Sequence, residues 1–261
     1  MIGDDGRIAV RDQRLEALWH GPPPGDAPTL IFLHEGLGSV SLWRDFPARL
    51  ASATGCGALV YSRAGYGASS PCSLPRPLSY MHDEAREVLP ALLAATGIRR
   101  HLLIGHSDGA SIALIHAGAC PEPGLAGVIC EAPHVFTEDV SVASIRQADE
   151  AYRTTDLRTR LARHHGDNVD LAFRGWADAW LDPAFLHWNI EEFPPAIDVP
   201  MLLIQGRDDE YGTLAQIDAI EQGAGADCNR LVLRDCGHSP HRDQPERTFD
   251  AMAAFVAGTL G

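Results

Sequence analysis

Two kinds of hydrophobic spacing alternate along this chain. Short, mainly apolar runs occur at residues 29–33, 57–61, 102–104, 125–131 and 201–205, and a further strand is read at 229–233. Continuous runs of this length predict strands buried on both faces. Between them, apolar positions return every three or four residues over 42–54, 79–96, 108–118, 213–223 and 244–259, which predicts amphipathic helices. Residues 7–11 and 15–20 flank Asp12-Gln13-Arg14 as two short strands of a hairpin. The Pro- and Gly-rich stretch 21–28 then interrupts regular structure as a connector. Strand and helix in regular succession imply a mostly parallel sheet, here of eight strands, with helices on both faces.

The alternation fails once. Helical patterns crowd together from 137 to 197 with no strand between them, carrying Trp176, Trp180, Trp188 and the pair His164-His165. A single crossover does not need that much helix. The expected organisation is therefore an α/β core at 1–134 and 198–261, with an inserted helical cap at 135–197. Three tryptophans at near-helical spacing are expected mainly as cap packing, with Trp180 a candidate pocket residue.

Bulk properties narrow the classes. The chain has 261 residues, 45% hydrophobic and 21% charged, and no apolar run reaches the eighteen or so residues of a membrane span. Its first residues are acidic and lack an apolar h-region, so no signal peptide is read there, and a cytoplasmic protein is expected. A formal charge of −14 argues against nucleic acid or an anionic membrane as partner. The six cysteines form no Cys-x-x-Cys pair and are expected as reduced, structural residues, Cys236 included.

Candidate chemistry collects in loops that follow the buried strands, the edge where open parallel sheets bind ligands. Gly105-His106-Ser107-Asp108-Gly109 lies between an apolar strand and a helical pattern, as a nucleophile elbow does. A serine hydroxyl is a weak nucleophile and needs a base; a histidine near its usual pKa of about 6.5 suits that task. Acidic residues Asp208, Asp209 and Glu210 follow the strand at 201–205, and His238 follows the one at 229–233, giving the order serine, acid, histidine. The N–H of Asp108, next after the serine, opens a helix and is a candidate oxyanion donor.

With these motifs the chain resembles the lid-bearing bacterial serine hydrolases of the α/β-hydrolase fold. The resemblance runs over nearly the whole chain: the hairpin, His34-Glu35-Gly36-Leu37-Gly38-Ser39 as the oxyanion loop, the elbow, the Gly-x-x-Asp at 206–209, and Gly237-His238. It implies Ser107 as nucleophile, His238 as base, and Asp209 as the acid, with Asp208 and Glu210 the neighbouring alternatives. It also implies Gly36 as the second oxyanion donor, and small-molecule carboxylic esters or lactones as substrates without a cofactor. Glu35 departs from the family pattern, standing where glycine is usual; it either selects a cationic or hydroxylated group or is tied to a neighbouring loop. Two other readings stay open: hydrolysis of a carbon–carbon bond in a dioxo acid, and a non-catalytic binding member of the fold. The first requires a cationic clamp, for which Arg63, Arg146, Arg153 and Arg174 are candidates. His34, His106 and His134 stand at strand ends as further pocket candidates. A catalytic metal is not expected: His238-x-x-His241 would take the base out of the triad, and no His-Glu-x-x-His occurs. Gly65-Tyr66-Gly67 lacks the context of a dinucleotide site.

Overall fold

The computed structural model describes residues 2–120 and 123–261. Among these, the strands are β1 (Arg7–Val10), β2 (Gln13–His20), β3 (Thr29–Leu33), β4 (Gly57–Tyr61), β5 (His101–His106), β6 (Leu125–Glu131), β7 (Met201–Gly206) and β8 (Cys228–Leu233). They form one sheet in the order β1-β2-β4-β3-β5-β6-β7-β8. The hairpin β1–β2 is antiparallel and so is its join to β4; every later pairing is parallel. Central β3, β4 and β5 are buried along their whole length, as their unbroken apolar runs require. β8, at the edge, is exposed or half-buried until its last residue, the buried Leu233.

Helices α1 (Phe46–Thr54) and α10 (Pro245–Leu260) cover one face, where Leu30, Phe32, Ile104, Ile129 and Met252 join one apolar cluster. On the other face lie α2 (Tyr80–Asp83), α3 (Leu89–Thr96), α4 (Asp108–Ala119) and, later in the chain, α8 (Ala215–Gly223), around a larger cluster that includes Ile31, Leu103, Ile112 and Ile217.

Two expected helices differ in detail. The helix expected from residue 42 begins only at Phe46: Val40–Trp43 is a 3-10 turn, and Arg44 adopts φ 52° before Pro47 opens α1. That turn seats Trp43 against Phe32, with ring centroids 5.1 Å apart. The helix expected over 79–96 widens to a π turn over Glu84–Val88, where the Leu89 N–H donates to the Glu84 carbonyl. Pro90 has no N–H for the carbonyl four residues before it, so the backbone relieves the defect by this wider turn.

Between β6 and β7 the chain forms α5 (Asp139–Thr154), α6 (Leu157–His165) and α7 (Val169–Leu181), with short 3-10 turns between and after them. The excursion leaves and returns through a narrow stem: Phe136 and Asn189 form an antiparallel bridge, and the Ile190 N–H donates to the Val135 carbonyl at 2.7 Å. A last short helix, α9 (Pro240–Asp243), precedes α10. Among the described residues no helix is long and apolar enough to cross a membrane.

Candidate active site

Local sequence sets the backbone around Ser107. The chain turns from β5 into α4 with Ser107 at φ 54°, ψ −119°, a conformation that costs a non-glycine residue about 1–3 kcal/mol. The turn also needs its two glycines. A Cβ on Gly105 would collide with the Gly109 carbonyl and Ala110, and one on Gly109 with the Leu33 carbonyl of β3. Ser107 is 6% exposed and lines a cavity of about 110 Å³ with Glu35, Gly36, Leu37, His134, Trp176, Trp180, Tyr211 and His238 among its walls.

His238 reaches this cavity from the loop after β8. Its Nδ1 lies 2.9 Å from both carboxylate oxygens of Asp209. Asp209 also accepts from Gln205 Nε2 at 2.7 Å and from the Tyr211 and Gly212 amides at 2.8 and 3.2 Å. Burial would raise its carboxyl pKa; the His238 contact and the Tyr211 amide outweigh that and hold it below the usual value. Of the neighbouring acids, Asp208 is exposed, while Glu210 Oε2 accepts from the His238 amide at 3.2 Å. An imidazole whose Nδ1–H is held by a carboxylate keeps Nε2 free to accept a proton.

The loop after β3 is fastened from behind. Arg63, 1% exposed, donates through Nη1 to the His34 carbonyl at 2.6 Å and through Nη2 to the Glu35 carbonyl at 3.1 Å. His34 Nδ1 adds a contact to the Glu35 carbonyl at 2.7 Å, and its Nε2 accepts from the Arg63 amide at 3.0 Å. The C=O and N–H of a planar trans peptide point opposite ways, so the Gly36 N–H is directed away from Arg63. A Cβ on Gly36 would strike Trp176 of α7, which makes glycine necessary there.

Glu35 turns toward β5: its Oε2 lies 3.5 Å from His106 Nδ1, an ion-pair distance rather than a close hydrogen bond. His106 Nε2 is 2.6 Å from the His238 carbonyl. Burial lowers the basicity of His106, yet the Glu35 contact prevails and lifts its pKa to about 9; burial likewise opposes ionisation of Glu35, and His106 overrides it to keep the carboxyl far below its usual value. His134 behaves in the opposite way: burial, with His238 nearby, depresses it to about 3, so it is a neutral cavity wall near pH 7.

His34 and His106, expected as pocket residues, do not line the cavity. His34 is consumed by the Arg63 anchor, where burial and the guanidinium hold its pKa well below normal, and His106 lies behind Glu35. The expected pocket residues Glu35, His134 and Trp180 do line it. Asp108 sends its side chain away from the cavity, accepting from Tyr80 Oη at 2.6 Å and Trp180 Nε1 at 3.3 Å. Arg63 is not free to clamp a substrate, and Arg153 and Arg174 are engaged by Asp149. Among the described residues lining the cavity, none is an arginine or a lysine. His241 does not pair with His238: its Nδ1 contacts Glu131 at 2.7 Å. The Cys236 thiol is pushed up to about 12 by burial and nearby carboxylates, which keeps it unreactive near neutrality.

Sequence reading missed Tyr211, Ser141, Ile145, Leu37 and Trp176 as walls. Trp176 carried a signal, since it lies one helical turn before Trp180 and so shares its face. Each helix of the excursion also fastens a different site loop. Ser141 and Ser144 of α5 donate to the carbonyls of Tyr211 and Glu210, His165 of α6 contacts the Leu37 carbonyl at 3.0 Å, and Trp180 of α7 reaches Asp108.

An open, mostly parallel sheet with a serine elbow, a histidine and an acid at one edge defines a class that comparison bears out. The alpha/beta hydrolase family model matches residues 30–251. The chain belongs to that family and is a hydrolase. It is 25% identical over 264 residues to a 2-succinyl-6-hydroxy-2,4-cyclohexadiene-1-carboxylate synthase of Salmonella agona, covering 91% of this chain and 97% of the relative. Among solved structures, a carboxylesterase structure from Nitrososphaera gargenis superposes with a TM-score of 0.77 at 16% identity, covering 97% of this chain and 98% of the other. An enol-lactonase from Burkholderia xenovorans superposes at 0.72 with 20% identity, covering 96% and 99%. At such identities these two similarities concern the fold.

Proposed function

We propose that the protein is a cofactor-independent serine hydrolase of small, uncharged carboxylic esters or lactones. The observation that carries this reading is the Asp209–His238 pair facing a cavity of about 110 Å³ that also holds Ser107 on its strained turn. Ser107 Oγ attacks the carbonyl carbon as His238 Nε2 takes its proton, and Asp209 steadies the imidazolium that forms. The Gly36 and Asp108 N–H groups receive the oxyanion, each such donor being worth about 3–4 kcal/mol in the transition state. His238 returns its proton to the leaving alkoxide, and water activated by the same imidazole releases the acyl-enzyme.

Residues 135–197 serve as a lid on a core formed by 1–134 and 198–261, and the lid's Trp176 and Trp180 close the acyl pocket. A cavity of about 110 Å³ is small beside the roughly 300–1,000 Å³ of pockets for drug-sized ligands, which favours short acyl chains. The product named for the Salmonella relative is a carboxylate; a cavity with Glu35 in its wall and, among the described residues, no arginine or lysine offers such a group no cationic clamp. For the same reason the dioxo-acid reading is set aside.

Hydrolysis of a p-nitrophenyl ester series by the wild type and by Ser107→Ala tests the proposal. Short-chain esters should be turned over by the former only; equal activity in both would remove Ser107 from the reaction.

A further inference from the structure

Glu35 stands where the family pattern has glycine, and it brings a carboxylate to the wall of the cavity in which an oxyanion is proposed to form. Its neighbour in sequence, Gly36, supplies one of the two donors in that reading. An anion so placed would oppose the charge that develops on the substrate, unless a cation cancels it. His106 supplies that cation from the end of β5, with Nδ1 3.5 Å from Glu35 Oε2. The same ring uses Nε2 to contact the backbone carbonyl of His238 at 2.6 Å, so one imidazole touches both the oxyanion loop and the loop that carries the base. Neither Glu35 nor His106 has a part in the proposed proton transfers.

We propose that Glu35 and His106 act as one positioning unit: the pair ties the oxyanion loop to the histidine loop and cancels a carboxylate charge beside the developing oxyanion. The inference rests on the serine-hydrolase reading.

Charged and titratable groups face His106 from every element packed around it. Glu35 comes from the loop after β3, Glu131 from the end of β6 and His134 from the loop that follows it, and the rings of His238 and His241 from the loop after β8 and from α9, each with centroids 5.2 Å away. Glu131 is itself engaged by His241 Nδ1 at 2.7 Å, and the His134 ring is uncharged near pH 7. Glu35 is therefore the counter-charge that His106 meets directly. When both nitrogens of His106 carry protons, Nε2–H donates to the His238 carbonyl while Nδ1–H faces Glu35. Loss of the Nδ1 proton turns a lone pair toward the carboxylate and leaves its charge facing the cavity.

Two measurements test the pairing. In Ser107→Ala protein, which needs no turnover, heteronuclear NMR of the imidazoles should give His106 a titration midpoint near 9, and Glu35→Gln should lower it by at least ~1 pH unit. An unchanged midpoint overturns the pairing. In the active enzyme, His106→Gln should lower kcat for a short-chain ester by ~100-fold with KM within about threefold, because the uncancelled Glu35 charge acts on the transition state. The double variant Glu35→Gln/His106→Gln should regain at least ~10-fold of that loss, since removing the carboxylate makes its cation unnecessary. A double variant no better than His106→Gln overturns the charge argument and leaves His106 a packing residue. If His106→Gln fails to fold, the shift or constancy of the His106 midpoint in Glu35→Gln still supports or overturns the pairing. Full esterase activity in Ser107→Ala would instead refute the serine-hydrolase reading, a failure distinct from an unshifted His106.

Discussion

Asp209→Asn is the sharpest perturbation of the candidate site, because the carboxylate there is surrounded only by donors. His238 Nδ1, Gln205 Nε2 and the amides of Tyr211 and Gly212 all point at its two oxygens. Asparagine keeps the shape but turns one oxygen into an NH₂. Leaving its oxygen toward the Tyr211 and Gly212 amides puts that NH₂ against Gln205 and His238. Gln205 can adapt only at a cost, since flipping its amide gives up the Nε2 hydrogen bond to the Gly212 carbonyl at 3.1 Å. His238 Nδ1 faces the retained oxygen and the new NH₂ equally, and accepting that N–H at Nδ1 moves its proton to Nε2. A ring protonated at Nε2 cannot take the serine proton, so kcat should fall by ~10³–10⁴-fold, equal to about 4–5.5 kcal/mol of barrier. Steady-state hydrolysis of a short-chain p-nitrophenyl ester at pH 7.5 measures this directly, with Asp208→Asn, on the exposed side of the loop, remaining within about threefold of wild type. Stability supplies a second readout. The Asp209 pKa is held down in the folded state, so its contribution is present above the unfolded value near 3.9 and is lost as pH falls through the folded one. The stability gap between wild type and Asp209→Asn should accordingly close below about pH 4. A variant retaining more than a tenth of wild-type kcat, or an Asp208→Asn loss as large as that of Asp209→Asn, would refute the assignment.

Acyl-chain selectivity should follow the cavity: p-nitrophenyl acetate and butyrate are expected to exceed the octanoate in kcat/KM by at least ~10-fold, and Trp176→Ala should narrow that gap; a flat chain-length profile in the wild type would contradict the small pocket. Asp108→Ala leaves Arg63 buried with its ion pair removed and strips acceptors from Tyr80 and Trp180, so urea denaturation should record a loss of about 3–5 kcal/mol, against about 1–3 kcal/mol for Tyr80→Phe, which deletes the bond donated to Asp108 and the one accepted from Trp180 Nε1 at 3.1 Å. The raised pKa of His106 fixes another sign: its contribution to stability is intact below the unfolded value of about 6.5 and fades as pH rises through about 9, so the Tm of the wild type should fall over that interval more steeply than that of Glu35→Gln.

The strands were legible because a strand buried on both faces has no polar positions to confuse the pattern, as at Thr29–Leu33 and Gly57–Tyr61. Their spatial order was not, since nothing in either run says that β4 sits between β2 and β3. The loops carrying Ser107 and Asp209 were recognisable because each follows such a run, and the loop of His238 because it follows the half-buried edge strand β8 at the same edge of the sheet. Whether a loop side chain looks into the cavity or behind it depends on partners far away in the chain. Arg63 reads in sequence as a possible substrate clamp and is buried as the anchor of the loop after β3; His34 and His106 read as cavity walls and are held by Arg63 and Glu35. His134 has the same residue type and a similar place after a strand, and it does line the cavity.

The departure at Glu35 illustrates how a local oddity is resolved only in three dimensions. A carboxylate introduced into a loop of this kind is tolerable if it is exposed, neutralised by protonation, or paired. Its side chain is 22% exposed and stands 3.5 Å from His106 Nδ1, whose contact holds the carboxyl pKa down against burial, so the solution here is pairing. The partner sits one residue before Ser107, where the elbow fixes the backbone so tightly that Gly105 and Gly109 tolerate no Cβ. A histidine at that point cannot drift away from Glu35 without disturbing the turn that presents the serine. The strain at Ser107 and the charge at Glu35 are thus held by one stretch of backbone, and a change at either residue of the Glu35–His106 pair should be felt at the elbow before it is felt in the sheet.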